Sequence, residues 1–121
     1  MVFGEVFADD YVLIEYLCFM RVYLIKNSED HYKIGYSGRR VHKRLEELQT
    51  ANGGELWFIS EFESMHARKI EAVLHNLYSA YRLAGGGKEW FLLPASEVLL
   101  FKKRAQDVER NLVALEKRDV V

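Results

Sequence analysis

Val22-Tyr23-Leu24-Ile25 and, six residues later, Tyr32-Lys33-Ile34-Gly35 decide the reading of this chain. Both stretches are rich in β-formers, and the polar Asn27-Ser28-Glu29-Asp30 between them is turn chemistry. Residues 21–26 and 31–37 are therefore expected to form a hairpin. Strand alternation puts Tyr32, Ile34 and Tyr36 on one face and Lys33 and Gly35 on the other, while Tyr23 shares its face with Ile25. Whether Tyr23 and Lys33 project to the same side depends on the turn register, which this pattern leaves open.

Working outward, Ser37-Gly38 stops the second strand. Val41, Leu45 and Leu48 keep i, i+4, i+7 spacing, which predicts a helix over 41–51 ended by Asn52-Gly53-Gly54, with Lys43 and Arg44 flanking its apolar stripe. Leu56 to Glu63 alternates as a third strand. Ser64 is a candidate N-cap for a helix over 65–83 whose core stripe is Ile70, Val73, Leu74, Leu77 and Tyr81. Glu71, His75, Tyr78 and Arg82 form a second stripe beside it. A Gly85-Gly86-Gly87 hinge leads to a short edge strand over 89–93, stopped by Pro94. Residues 96–118 read as one helix with a heptad seam at Val98, Phe101, Ala105, Val108, Leu112 and Leu115. That seam either docks on its own domain or pairs two copies into a homodimer or a larger assembly.

Length and composition bound the function classes. With 121 residues, half of them apolar and 13% aromatic, the chain suits one folded domain. The expected division is an apolar, acidic extension over 1–20, a module over 21–94 and the heptad-patterned helix over 95–121. Residues 1–30 hold six acids against Arg21 and Lys26, whereas 31–50 hold five basic residues against Glu46 and Glu47. Arg39, Arg40, Lys43 and Arg44 crowd into six positions, as a local phosphate contact requires and as a solvated helix face also shows. A single cysteine, Cys18, excludes an internal disulfide and multi-cysteine zinc patterns, and is expected to be a buried hydrophobe. Glu15 and Arg21 interrupt the apolar run over 11–25, so neither a membrane span nor a signal peptide fits and a cytoplasmic setting follows. Gly87-Lys88 is followed by Glu89 and lacks the glycine spacing of a phosphate loop. Met20 directly precedes the hairpin, so translation from Met1 and from Met20 are both compatible with the module.

Hydrolysis of a phosphodiester needs an activated water, a neutralised phosphate and a stabilised leaving oxygen. Glu71, beside a core stripe, is placed to hold a divalent metal at a groove rim. Arg44 can fork onto phosphate oxygens. Tyr23 can take a proton from water if a nearby cation lowers its pKa, and Lys33 is suited to that lowering or to phosphate contact. His75, one turn past Glu71, is placed to orient a water or the metal.

The order of these residues resembles the GIY-YIG nuclease superfamily, in which two name motifs on adjacent strands precede an arginine helix and a glutamate helix. Val22-Tyr23-Leu24 stands in the first motif and Lys33-Ile34-Gly35 in the second. Tyr32-Lys33-Ile34-Gly35-Tyr36-Ser37, followed by Arg44-Leu45-Glu46-Glu47-Leu48-Gln49-Thr50, is similar to a phage and bacterial branch with a Tyr-Lys-Ile-Gly second motif. Ile70-Glu71-Ala72-Val73-Leu74-His75 and Lys88-Glu89-Trp90-Phe91 are similar to its later signatures. The resemblance covers residues 21–93 and implies an α+β module with a three-stranded central antiparallel sheet flanked by helices. It also implies a DNA endonuclease with Tyr23 as base or relay, Arg44 as phosphate clamp and Glu71 as the protein ligand of magnesium or manganese. Two departures stand out. The first motif lacks its glycine, with Val22 next to the tyrosine and Arg21 before it, and Lys33 replaces the second tyrosine, whose role passes to Lys33, to Tyr32 or to no residue. Two other readings accompany the endonuclease: a non-cleaving module that binds DNA, RNA or a protein, and a structural role in phage or mobile-element assembly. A phage-encoded chain would work in the host cytoplasm.

Overall fold

The hairpin forms from β1 (Arg21–Asn27) and β2 (Tyr32–Ser37), antiparallel, with Tyr23 opposite Gly35 and Ile25 opposite Lys33. Directly opposed residues share a face, so the register places Tyr23 and Lys33 on the same side. The turn sets that register. The Asn27 side-chain oxygen accepts the backbone N–H groups of Glu29 and His31 at 2.9 and 3.0 Å, and Asp30 takes the left-handed conformation that aspartate tolerates. The computed structural model describes residues 20–38, 41–52, 54–85 and 89–119. Expectations placed on residues 1–19, including Cys18, on Arg39 and Arg40, and on the Gly86-Gly87 part of the hinge lie outside the described residues.

The sheet has four antiparallel strands in the order β3-β1-β2-β4, not the three expected. β3 (Leu56–Glu63) pairs with the outer side of β1, with an irregular register between Leu24 and Ile25. The short stretch read as an edge strand joins the same sheet as β4 (Trp90–Phe91), opposite Lys33 and Tyr32. Burial explains its place, because pairing there lets Phe91 leave water completely.

Each sheet face has its own cover. Tyr23, Ile25 and Leu56 pack beneath Leu45 and Leu48 of α1 (Val41–Asn52). Val22, Leu24, Ile34 and Phe91 pack with Ile70 and Leu74 of α2 (Ala67–Leu77) and with Phe101 and Ala105 of the C-terminal helix.

Two helices differ from their expected form. Ser64 organises a turn by accepting the His66 N–H at 2.9 Å, but α2 starts only at Ala67 and ends at Leu77, followed by a single 3-10 turn over Ser79–Tyr81. Its buried face is Ala67, Ile70, Leu74 and Tyr78, whereas Val73, Leu77 and Tyr81 are exposed. Tyr78 therefore belongs to the core stripe, not to the second one. Its ring can be buried because its hydroxyl donates to Glu97 at 2.9 Å.

The predicted C-terminal helix is two: α3 (Ala95–Leu99) and α4 (Phe101–Asp119). No glycine or proline lies within it, so the break at Leu100 is tertiary. Phe101 is fully buried, and Arg104 forks onto Glu97 with both contacts at 3.0 Å. Val98, Val108 and Leu112 pack on the same core, while Leu115 is exposed. The seam that a homodimer would use is thus turned onto the protein's own sheet. Among the described residues, no helix is long and apolar enough to cross a membrane.

Candidate active site

Tyr23, Arg44 and Glu71 come from β1, α1 and α2 to line one open cleft of about 490 Å³, together with Gly35, Tyr36, Glu47 and Glu89. Tyr23 reaches it by lying across the neighbouring strand. A Cβ on Gly35 would sit 2.5 Å from the ring Cζ and closer still to the hydroxyl, so any side chain there would displace the ring. This is the local reason for the glycine in the second motif.

Arg44 stands next to Leu45, whose packing on the sheet aims α1 at the cleft. Its guanidinium donates to the Tyr23 hydroxyl, and Nη1 lies 3.3 Å from Glu47 Oε2 one turn on. Burial pushes the Tyr23 phenol up, and the hydrogen bond and charge of Arg44 do not fully offset it. The Arg44 guanidinium is itself held further toward its charged form, chiefly by that hydrogen bond.

Glu71 and His75 stand where the sheet edge runs out of strand. β4 pairs with β2 only at Tyr32 and Lys33, and the Glu89 carbonyl accepts the Ile34 N–H at 3.2 Å. Beyond that point side chains continue the ladder. His75 Nε2 lies 2.7 Å from the Ile34 carbonyl oxygen, which only accepts, so Nε2 carries the proton and donates. One turn earlier, the Glu71 carboxylate accepts the backbone N–H of Tyr36. Burial raises the Glu71 carboxyl above its ordinary value; His75 draws it back, and the Glu89 charge pushes it up again. His75 also packs on Phe91, with ring centroids 5.3 Å apart.

Lys33 backs the cleft instead of lining it. Its ammonium is 2.6 Å from Glu89 Oε2 and 5.9 Å from the centre of the Trp90 ring, with the side chain 11% exposed. The cation at the Tyr23 hydroxyl is therefore Arg44. Lys43 is exposed on α1. Glu47 and Glu89 were not singled out from the sequence as site residues, although Glu89 opens the closing Glu-Trp-Phe signature and Glu47 follows Arg44 by one turn.

Among the described residues, no group of three or more His, Cys, Asp or Glu side chains is placed to hold a metal. The cleft has instead the largely buried Glu71 carboxylate at the end of a sheet edge, the more exposed Glu47 and Glu89, a tyrosine hydroxyl and an arginine around open space. Carboxylate, phenol and guanidinium groups thus meet around one open space on an α+β module. The chain matches the family model of the T5orf172 domain over residues 20–106 and belongs to that phage-associated family. The match runs past Pro94 through Phe101 and Ala105, the residues that seat α4 on the sheet. Comparison with curated proteins and with solved structures gave no match.

Proposed function

We propose that the protein is a metal-dependent endonuclease that hydrolyses DNA phosphodiester bonds in this cleft. The observation that carries the reading is the convergence of Tyr23, Arg44 and Glu71, distant in sequence, on one open space. Membership of the T5orf172 family and the GIY-YIG-like motif order point the same way. In the reaction a water oxygen bonds to phosphorus and the bond from phosphorus to the departing sugar oxygen breaks. The water proton passes to or through the Tyr23 oxygen, and the departing oxygen takes a proton from solvent. Arg44 forks onto the phosphate and exchanges its contact with Glu47 for phosphate oxygens.

The donor set fits magnesium or manganese. Such cations bind through one or two carboxylates and keep several waters, and Glu71 offers carboxylate oxygens beside open space. A cation held there would neutralise charge building on the phosphate and the leaving oxygen. Ionised Glu71 would be the residue that holds the cation. Arg39, Arg40 and Lys43 follow the cleft residue Gly38 closely in sequence, and this basic run would supply further phosphate contacts. Such a chain would work in the cytoplasm, the host's if phage-encoded.

Incubating supercoiled plasmid with magnesium or manganese tests the proposal. The wild-type chain should nick it, and Glu71→Ala and Arg44→Ala should each slow cleavage by about 100-fold or more. Plasmid left equally intact by all three proteins would remove the enzyme. A second reading, a module that binds nucleic acid or protein without cleaving, is favoured by one observation: Glu89 already engages Lys33, at the position of the second-motif tyrosine.

A further inference from the structure

Among the described residues, the two cations at or behind the cleft are each held by a carboxylate, and neither partner is Glu71. Arg44 Nη1 lies 3.3 Å from Glu47, and Lys33 Nζ lies 2.6 Å from Glu89. Among the described residues, Glu47, Glu71 and Glu89 line the cleft, with Arg44 beside them and Lys33 behind the wall, so three negative groups meet two positive ones. Among the described residues the balance is one negative charge. An entering phosphodiester makes it two, which one divalent cation cancels. Without that cation, the phosphate must approach an already anionic wall in a partly desolvated site, where like charges a few ångströms apart repel by about 1 to 4 kcal/mol.

The two pairs differ in how readily they exchange. Arg44 and Glu47 are both about two-fifths exposed at the longer distance, so phosphate oxygens can take Glu47's place. Lys33 is largely buried against Glu89 at the shorter distance, and the Glu89 backbone is tied to β2, so that pair stays closed. We infer that Glu47 and Glu89 make phosphodiester binding conditional on a divalent cation: Glu47 competes with phosphate for Arg44, and Glu89 ties up Lys33 beside it. The inference rests on the nuclease reading of the cleft and assigns a task to two carboxylates which that reading leaves without one.

The test is DNA affinity, not cleavage. Fluorescence anisotropy of a labelled duplex is measured in EDTA and in magnesium, with the duplex checked for integrity on a gel. Magnesium ordinarily weakens protein–DNA contacts by competing for phosphates. The wild-type chain should instead bind more tightly in magnesium. Glu47→Gln should bind about tenfold more tightly than wild type in EDTA, and its gain from magnesium should shrink by the same factor. Glu89→Gln should show the same change in EDTA; if losing Lys33's partner unfolds it, Glu47→Gln carries the test. Glu116→Gln removes an equal charge from α4, outside the cleft lining, and should leave the wild-type pattern intact. Wild type binding DNA with Glu47→Gln and Glu116→Gln indistinguishable in both buffers would overturn the inference while sparing the nuclease reading. Absence of binding by every protein in both buffers would overturn both.

Discussion

Among the described residues, tyrosine, arginine and glutamate meet twice, and the two meetings differ in which group holds which. In the latch between α2 and the C-terminal helices, Tyr78 donates to Glu97 at 2.9 Å and Arg104 forks onto the same carboxylate with two contacts of 3.0 Å. The circuit is closed, and Arg104 accordingly holds the Glu97 carboxyl below its ordinary range. In the cleft, Arg44 holds Tyr23 and Glu47, while Glu71 takes a backbone N–H from Tyr36 and its carboxyl is pushed up by burial. Space does not separate them, since the latch borders a groove of about 380 Å³ and the cleft measures about 490 Å³. What separates them is whether the carboxylate's charge is already answered. A closed trio fastens helices together; an open one keeps electrostatic demand available for a ligand.

The comparison breaks most visibly at Gly35. In Gly35→Ala the new methyl would drive the Tyr23 ring off the strand, so cleavage should fall by about 100-fold. Overpacking should also cost about 1 to 3 kcal/mol in urea unfolding. Plasmid nicking and the urea midpoint check both, and unchanged cleavage would show that the Tyr23 position is unimportant.

A smaller effect comes from pH. If the Tyr23 oxygen must lose its proton to act as base, the active fraction rises about tenfold per pH unit below its pKa. Burial puts that pKa above the ordinary 10.0, so the initial rate should climb through pH 9 without a plateau. On the acid side, Glu71 must be ionised to hold a cation, so cation affinity should begin to fall at a pH above the ordinary 4.5. A rate plateau near pH 8 would assign proton removal to another group.

Short-range pattern reads well in this chain, and long-range pairing does not. β1, β2, β3 and α1 fall within a residue or so of their predicted bounds because turn residues and i, i+4 spacing mark them locally. Tyr23, Arg44 and Glu71 were legible as an ordered set, but Lys33's place behind the cleft depends on Ile25 facing Lys33 and on Glu89 arriving with β4. The fourth strand was visible as a segment, not as a member of the sheet, since its two residues carry no register signal. The α2 face was misjudged by one position because Leu77 outranks Tyr78 as an apolar residue until Glu97 supplies a partner for the hydroxyl. The break at Leu100 has the same origin: no residue there stops a helix, and the Glu97–Arg104 fork and Phe101 set it from outside.

Deleting one oxygen atom from each trio tests the central claim most directly. Tyr23→Phe and Tyr78→Phe are compared with wild type for plasmid nicking in magnesium and for urea stability. Tyr23→Phe should stay folded and lose nearly all cleavage. Tyr78→Phe should cut at the wild-type rate while losing about 1 kcal/mol of stability, the worth of one hydrogen bond. Wild-type cleavage by Tyr23→Phe, or its loss in folded Tyr78→Phe, would contradict the assignment of the open trio as the reaction centre and the closed one as a fastening.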